Sequence, residues 1–129
     1  GAGGNDVING NAGDDFITGG TGSDTLTGGL GNDQFIYGAT AESPVGNTRD
    51  TITDFNTLLD KINVAAIDAN TTLAGDQAFT FIGTAAFTAL GQVRYAAGLV
   101  QFNNTGNNNA DMEITLTGNP NLVAGGFIL

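Results

Sequence analysis

The 129-residue chain has no cysteine and no histidine, and its only basic residues are Arg49, Lys61 and Arg94. Without cysteine it forms no disulfide and offers no thiolate nucleophile. Without histidine it has neither a zinc-hydrolase ligand set nor an imidazole base. Thirteen Asp and Glu against three cations leave a formal net charge of −10. Such a chain repels phosphate backbones and anionic membranes, so nucleic acid and lipid are poor partners and cations good ones. No apolar run approaches membrane-spanning length, so no membrane insertion is expected, and nothing at the N-terminus reads as a signal peptide. A cysteine-free chain suits the cytosol, and equally a secreted protein held together by metal. It opens on Gly1 inside a glycine-rich pattern and without a methionine, which reads as a piece of a longer protein with a covalently attached upstream domain.

Glycine is what the chain does have. In nines from the first residue it reads GAGGNDVIN, GNAGDDFIT, GGTGSDTLT, GGLGNDQFI. Glycine takes the first place (Gly1, Gly10, Gly19, Gly28) and the fourth (Gly4, Gly13, Gly22, Gly31) in all four repeats. Aspartate takes the sixth (Asp6, Asp15, Asp24, Asp33), and the eighth is large and apolar (Ile8, Ile17, Leu26, Phe35). This nonapeptide, G-G-x-G-x-D-x-U-x, resembles the repeat of the RTX family of calcium-binding parallel β-rolls.

The residues lead to the same chemistry. Six glycine-rich positions make a turn, and three positions with one apolar side chain make a short strand. One nonapeptide is then half a coil, and two return the chain to the same side, one strand spacing on. Asp6 is expected to stack over Asp24 and Asp15 over Asp33, about 4.8 Å apart. Bare carboxylates repel at that spacing. A Ca²⁺ midway, with bonds of about 2.3–2.6 Å, reaches ligands on both coils, whereas Mg²⁺ demands about 2.0–2.1 Å and holds its water. In an extended loop alternate carbonyls point opposite ways, so one loop offers its first and third carbonyls and its partner the second and fourth. This assigns Gly1, Gly3, Gly20 and Gly22 with Asp6 and Asp24 to one ion, and Gly10, Ala12, Gly29 and Gly31 with Asp15 and Asp33 to another. The alternative is a metal-free solenoid with Asx-turns, but turn chemistry tolerates Asn or Ser at the sixth place and neither appears. With so thin an apolar core, the repeats are expected to be disordered without ions.

After Phe35 the pattern stops. Residues 40–50 read as a polar loop. DTITDF (50–55), DKINV (60–64), FTFI (79–82), QVRYA (92–96), LVQFN (99–103), MEITLT (112–117) and the terminal FIL read as short strands. No amphipathic helix is evident, and six of the eight Phe lie in this half. It is expected to hold the larger core and to cover the open edge left by the repeats. The segments DTITDFNTLLDKINVAAID and AFTFIGTAAFTALGQVRY are similar to the region after the roll in serralysin-type C-terminal domains of type I-secreted proteins. That resemblance implies a calcium role for Asp50 and Asp54, while Asp60 reads as a solvated acid beside Lys61. Where relatives carry an acidic D-x-D-G-D-G-x-A-D loop, this chain has NNTGNNNAD, and only Asp111 keeps its charge. No ion is expected there.

The expected fold is all-β: a calcium-stabilised parallel β-roll (RTX) over residues 1–36, followed by a β-rich C-terminal cap over 37–129. The expected function is a calcium-binding, non-enzymatic module that folds in extracellular calcium, engages type I secretion machinery and stabilises the secreted protein attached to it. A second reading is polysaccharide binding, as in RTX modules attached to alginate epimerases. With no basic residue before Arg49, that reading points to a neutral glycan and not a polyuronate.

Overall fold

The computed structural model describes all 129 residues. In each repeat the glycine-rich part turns and the last third extends, giving β1 (Val7–Asn9), β2 (Phe16–Ile17), β3 (Thr25–Thr27) and β4 (Gln34–Ile36). The fourth glycine is the position that lets coils stack. Gly22 and Gly31 both have φ of 139°, and a Cβ on either would overlap the carbonyl oxygen of Gly4 or Gly13 one coil back. Only glycine tolerates both the conformation and the approach. β1 pairs with β3 in parallel, Val7 opposite Thr25, and β2 with β4, Phe16 opposite Gln34. The offset is the eighteen residues that two nonapeptides supply.

Seven further strands follow: β5 (Asp50–Ile52), β6 (Lys61–Asn63), β7 (Thr80–Phe81), β8 (Gln92–Ala96), β9 (Leu99–Asn103), β10 (Met112–Leu116) and β11 (Phe127–Ile128). Each lies on a stretch that the sequence marks as extended. Two short 3-10 turns, Thr40–Glu42 and Ala124–Gly126, are the only helical segments. The strands form one sheet in the order β1-β3-β5-β10-β9-β8-β7 and a second in the order β11-β6-β4-β2.

This arrangement corrects the expected calcium-stabilised parallel β-roll (RTX) followed by a β-rich C-terminal cap. The later strands do not sit on the end of a finished roll; they continue both of its sheets. β5 pairs in parallel with β3, Leu26 opposite Ile52, and β6 with β4, Phe35 opposite Ile62. The larger sheet is also mixed, because β9 runs antiparallel to both β8 and β10 while the sheet's other pairs are parallel. The physical reason is shared burial. Within their own sheets Leu26 and Phe35 are flanked on one side by Ile8 and Ile17 of the preceding coil, and Ile52 and Ile62 cover the other side. Twenty buried apolar residues form one cluster, and only Ile17, Leu26 and Phe35 of them come from the first 36 residues. Phe35 packs on Phe55 with ring centroids 6.0 Å apart, and Phe102 meets both Phe79 and Phe127 edge to face.

The segment between β4 and β5 is bolted to β10 by Glu113, a carboxylate 5% exposed. Its oxygens accept hydrogen bonds from Arg49 Nη1 at 2.7 Å, Gln101 Nε2 at 2.7 Å and the Gly46 N–H at 3.1 Å. Ser43 Oγ donates to the Glu113 carbonyl and in turn accepts the Asp50 N–H at 2.8 Å, so the bolt sets the position of Asp50. Burial pushes the Glu113 carboxyl up, but the hydrogen bonds from Gln101, Gly46 and Arg49 outweigh it and hold it below the usual glutamate value. Its stabilisation is therefore present above the unfolded-state value and is lost as pH falls through the lower folded one. Glu113→Ala leaves the Gln101 amide and the Gly46 N–H without this acceptor and the partly exposed Arg49 guanidinium with only its Nε bond to Thr115, which is expected to cost about 1–3 kcal/mol in saturating calcium. Urea denaturation of variant and parent measures it; an unchanged midpoint would mean that the loop is held by other contacts.

Candidate metal centre

The sixth-place aspartates form two ladders, one on each edge of the stack. Asp24 Oδ1 accepts the Asp6 N–H at 2.8 Å, and Asp50 Oδ1 accepts the Asp24 N–H at 2.8 Å. On the other edge Asp33 Oδ1 accepts the Asp15 N–H at 2.9 Å, and Asp60 Oδ1 accepts the Asp33 N–H at 3.1 Å. One carboxylate oxygen per residue thus fixes the spacing between coils. The second does something else. Oδ2 of Asp6, Asp15, Asp24 and Asp33 is buried and has no hydrogen-bond partner. A buried anionic oxygen left unpaired is costly, so such a row is maintained only where a counter-charge reaches it.

The surrounding backbone has the matching donors. Between coils, Thr21 N–H bonds the Ala2 carbonyl and Gly4 N–H the Thr21 carbonyl; likewise Leu30 bonds Asn11 and Gly13 bonds Leu30. These bonds occupy alternate carbonyls. Those of Gly1, Gly3, Gly20 and Gly22 on one edge, and of Gly10, Ala12, Gly29 and Gly31 on the other, take no part in them. The first glycine of each repeat lies directly against that repeat's carboxylate: a Cβ on Gly1, Gly10, Gly19 or Gly28 would overlap Oδ2 of Asp6, Asp15, Asp24 or Asp33. No group of three or more acidic side chains converges anywhere in the chain, so carbonyls have to complete the shell of any cation. An all-oxygen set with paired carboxylates fits a hard divalent ion.

Asp50 and Asp54 separate in role. Asp50 is fully buried at the end of the Asp6–Asp24 ladder, and burial, with the Asp24 carboxylate adding to it, pushes its carboxyl up to about 6. A proton or a cation relieves it. The Tyr37 hydroxyl is buried beside it and is its donor; burial first, then the Asp50 charge and this hydrogen bond, push the ionisation of Tyr37 up. Asp54 instead spends both oxygens on backbone, accepting the N–H groups of Gly28 and Gly29 at 2.9 Å each.

Asp60 is not the solvated partner of Lys61. It is 2% exposed, its Oδ2 accepts the Asn56 N–H at 2.7 Å, and burial raises its carboxyl above the usual value. Lys61 Nζ donates to the Gly125 carbonyl. The signal was in the sequence: Asp60-Lys61-Ile62 and Asp50-Thr51-Ile52 repeat the D-x-U unit of Asp24-Thr25-Leu26. At the acid-poor loop, Asp111 accepts hydrogen bonds from the Asn104 N–H, the Thr105 N–H and the Thr105 hydroxyl, which tie the loop between β9 and β10 as a hairpin connection.

Comparisons with known proteins bear on the family and the fold. The family model of the peptidase M10 serralysin C terminal matches residues 1–129. The solution structure of the AlgE6R3 subunit from the Azotobacter vinelandii mannuronan C5-epimerase is similar with a TM-score of 0.61 at 20% identity, over 99% of this chain and 80% of that one. The AlgE6R2 subunit of the same enzyme gives 0.58 at 24% identity, over 88% and 70%. At these identities the likeness concerns the fold alone. No curated protein sequence matches the chain. No helix is long and apolar enough to cross a membrane. Repeats, aspartate ladders and a match spanning every residue lead to one conclusion: the chain belongs to the serralysin C-terminal family.

Proposed function

We propose that the chain is a calcium-binding, non-enzymatic module that orders its repeats on meeting extracellular calcium. In this reading it stabilises a secreted protein attached to it and serves that protein's passage through type I secretion machinery. The observation that carries the reading is the set of four buried Oδ2 atoms, one on each repeat aspartate, without hydrogen-bond partners. Asp6 and Asp24 with the Gly1, Gly3, Gly20 and Gly22 carbonyls would hold one ion; Asp15 and Asp33 with those of Gly10, Ala12, Gly29 and Gly31 would hold a second. Asp50 extends the first ladder, and Asp54 fixes the turn at Gly28 and Gly29 from which the second draws a carbonyl. Residues 1–36 bind, and residues 37–129 contribute the core on which they order. Calcium neutralises the carboxylates and cross-links neighbouring coils.

The same residues account for a switch between compartments. Where calcium is scarce, repulsion along the ladders and a thin core keep the repeats open enough for export. Where it is plentiful, mass action favours the folded form, and extracellular modules bind at about 10⁻⁴–10⁻³ M. Isothermal titration is expected to give at least two equivalents of calcium in that range and no comparable heat with magnesium. Absence of calcium binding would end the proposal. The same titration on Asp111→Asn is expected to give unchanged stoichiometry; loss of one equivalent would place an ion in the loop at residues 103–111.

A further inference from the structure

On the larger sheet, far along from the aspartate ladders, a cavity of about 360 Å³ opens between the β8–β9 hairpin tip, the turn after β7 and the segment that follows β10. Its volume lies in the range of small-molecule pockets, about 300–1,000 Å³. Phe81, Tyr95, Pro120 and Leu122 give it an apolar wall, and Thr84, Asn119 and Asn121 give it amide and hydroxyl groups. Tyr95 is its only ionisable side chain, and burial raises that hydroxyl further above neutrality. Tyr95 donates to Asn119 Oδ1 at 3.1 Å, which orients the Asn119 amide and leaves its NH₂ group unused within the chain.

The backbone beside the cavity is strained on one side. Ala97 (φ 52°) and Gly98 (φ 79°) form the two-residue link between β8 and β9, a turn with positive φ at both positions in which Asn is the favoured first residue. Asn119 (φ 51°) follows Gly118 (φ 81°), and there an Asn does occupy the left-handed position. Alanine at 97 costs about 1–2 kcal/mol. It also lines the cavity, so a longer side chain there would take up its volume.

We propose that this cavity binds a neutral pyranose unit of a glycan. A pyranose presents C–H groups on one face and hydroxyls around its rim, which matches carbon on one wall and uncharged donors and acceptors on the other. An anionic sugar is disfavoured because none of the three cations lines the cavity: Arg49 pairs with Glu113, Lys61 bonds the Gly125 carbonyl, and Arg94 lies over the Phe87 ring at 5.8 Å. The chain's net charge of −10 repels it as well.

The test is an NMR titration of the full chain in saturating calcium. The probes are methyl glycosides of glucose, galactose, mannose and N-acetylglucosamine, with glucuronate and a proline-rich peptide as controls. Saturable shifts at Tyr95, Ala97 and Asn119 are expected with at least one neutral glycoside, and glucuronate should bind at least about tenfold more weakly. Ala97→Asn, which relieves the turn while filling the cavity, is expected to weaken binding about tenfold or more. Asn119→Gly keeps the backbone conformation, removes the amide, and provides a second variant should the first fail to fold; it too should lose about tenfold. Silence from every neutral glycoside, shifts elsewhere on the molecule, preference for glucuronate or the peptide, or full binding by a folded variant would overturn the proposal.

Discussion

In excess chelator the first 36 residues are expected to lose their β-structure, and the far-ultraviolet circular dichroism signal should return as calcium rises through the millimolar range. Only the buried Ile17, Leu26 and Phe35 and the partly buried Ile8 tie these residues into the core, while Val7, Phe16 and Leu30 are 84%, 74% and 76% exposed. The unpaired Oδ2 atoms of Asp6, Asp15, Asp24 and Asp33 lie in the same segment. With dissociation constants of about 10⁻⁴–10⁻³ M, each ion at 10 mM calcium contributes about 1.4–2.7 kcal/mol of folding free energy. Two ions supply about 3–5 kcal/mol, a large part of what keeps a domain of this size folded. Residues after 36 hold most of the core, so part of the signal is expected to survive chelation. Magnesium at equal concentration should restore little. Full β-content in chelator, with repeat amides as protected from hydrogen exchange as in calcium, would show that the ladders are stable unaided.

Replacing Asp24 by alanine is expected to do far more damage than replacing Asp6. Asp24 is the middle rung: its Oδ1 receives the Asp6 N–H, its own N–H reaches Asp50, and its Oδ2 is among those without a partner. Asp24→Ala leaves the Asp6 N–H unpartnered, at about 1–3 kcal/mol, and removes a carboxylate shared by the rungs on both sides. Asp6→Ala removes the terminal rung alone. The ladder of Asp15, Asp33 and Asp60 lies on the other edge and should keep its ion. A crystal structure of each variant in calcium counts the ions directly. Equal loss on both edges, with the coils still ordered, would show that loops nine residues apart share a site and that the eighteen-residue register does not govern binding.

How far the sequence could be read depended on whether spacing was regular. Within residues 1–36 every coil advances by eighteen, so glycine, aspartate and the apolar eighth place fall in columns and the strand offset is legible. Beyond Ile36 the ladders continue with steps of 26 residues from Asp24 to Asp50 and 27 from Asp33 to Asp60. The added length is turn and loop, which a fixed period cannot follow. Asp60 was misread for that reason, since its neighbour Lys61 suggested an ion pair and its column was out of view. The continuous sheets escaped for another. Alternating strands at 92–96, 99–103 and 112–117 announce a β-structure, but whether they form their own layer or extend an existing one depends on which edge they meet. Glu113 gives no local sign of its role, because its partners come from two distant parts of the chain, Gly46 and Arg49 from the segment before β5 and Gln101 from β9.

The ladders have a direction. Every rung hands an oxygen to the backbone of the coil before it, so each coil is positioned by the one that follows. At the far end Asp50 is located by Ser43 and the Glu113 bolt, and Asp60 by the Asn56 N–H, all in the half that carries most of the core. The stack therefore has a seed and a growing tip, like a one-dimensional crystal with a single nucleation face. Trimming coils from the tip shortens it and leaves the remainder registered, whereas disturbing the seed deprives every coil of its template at once.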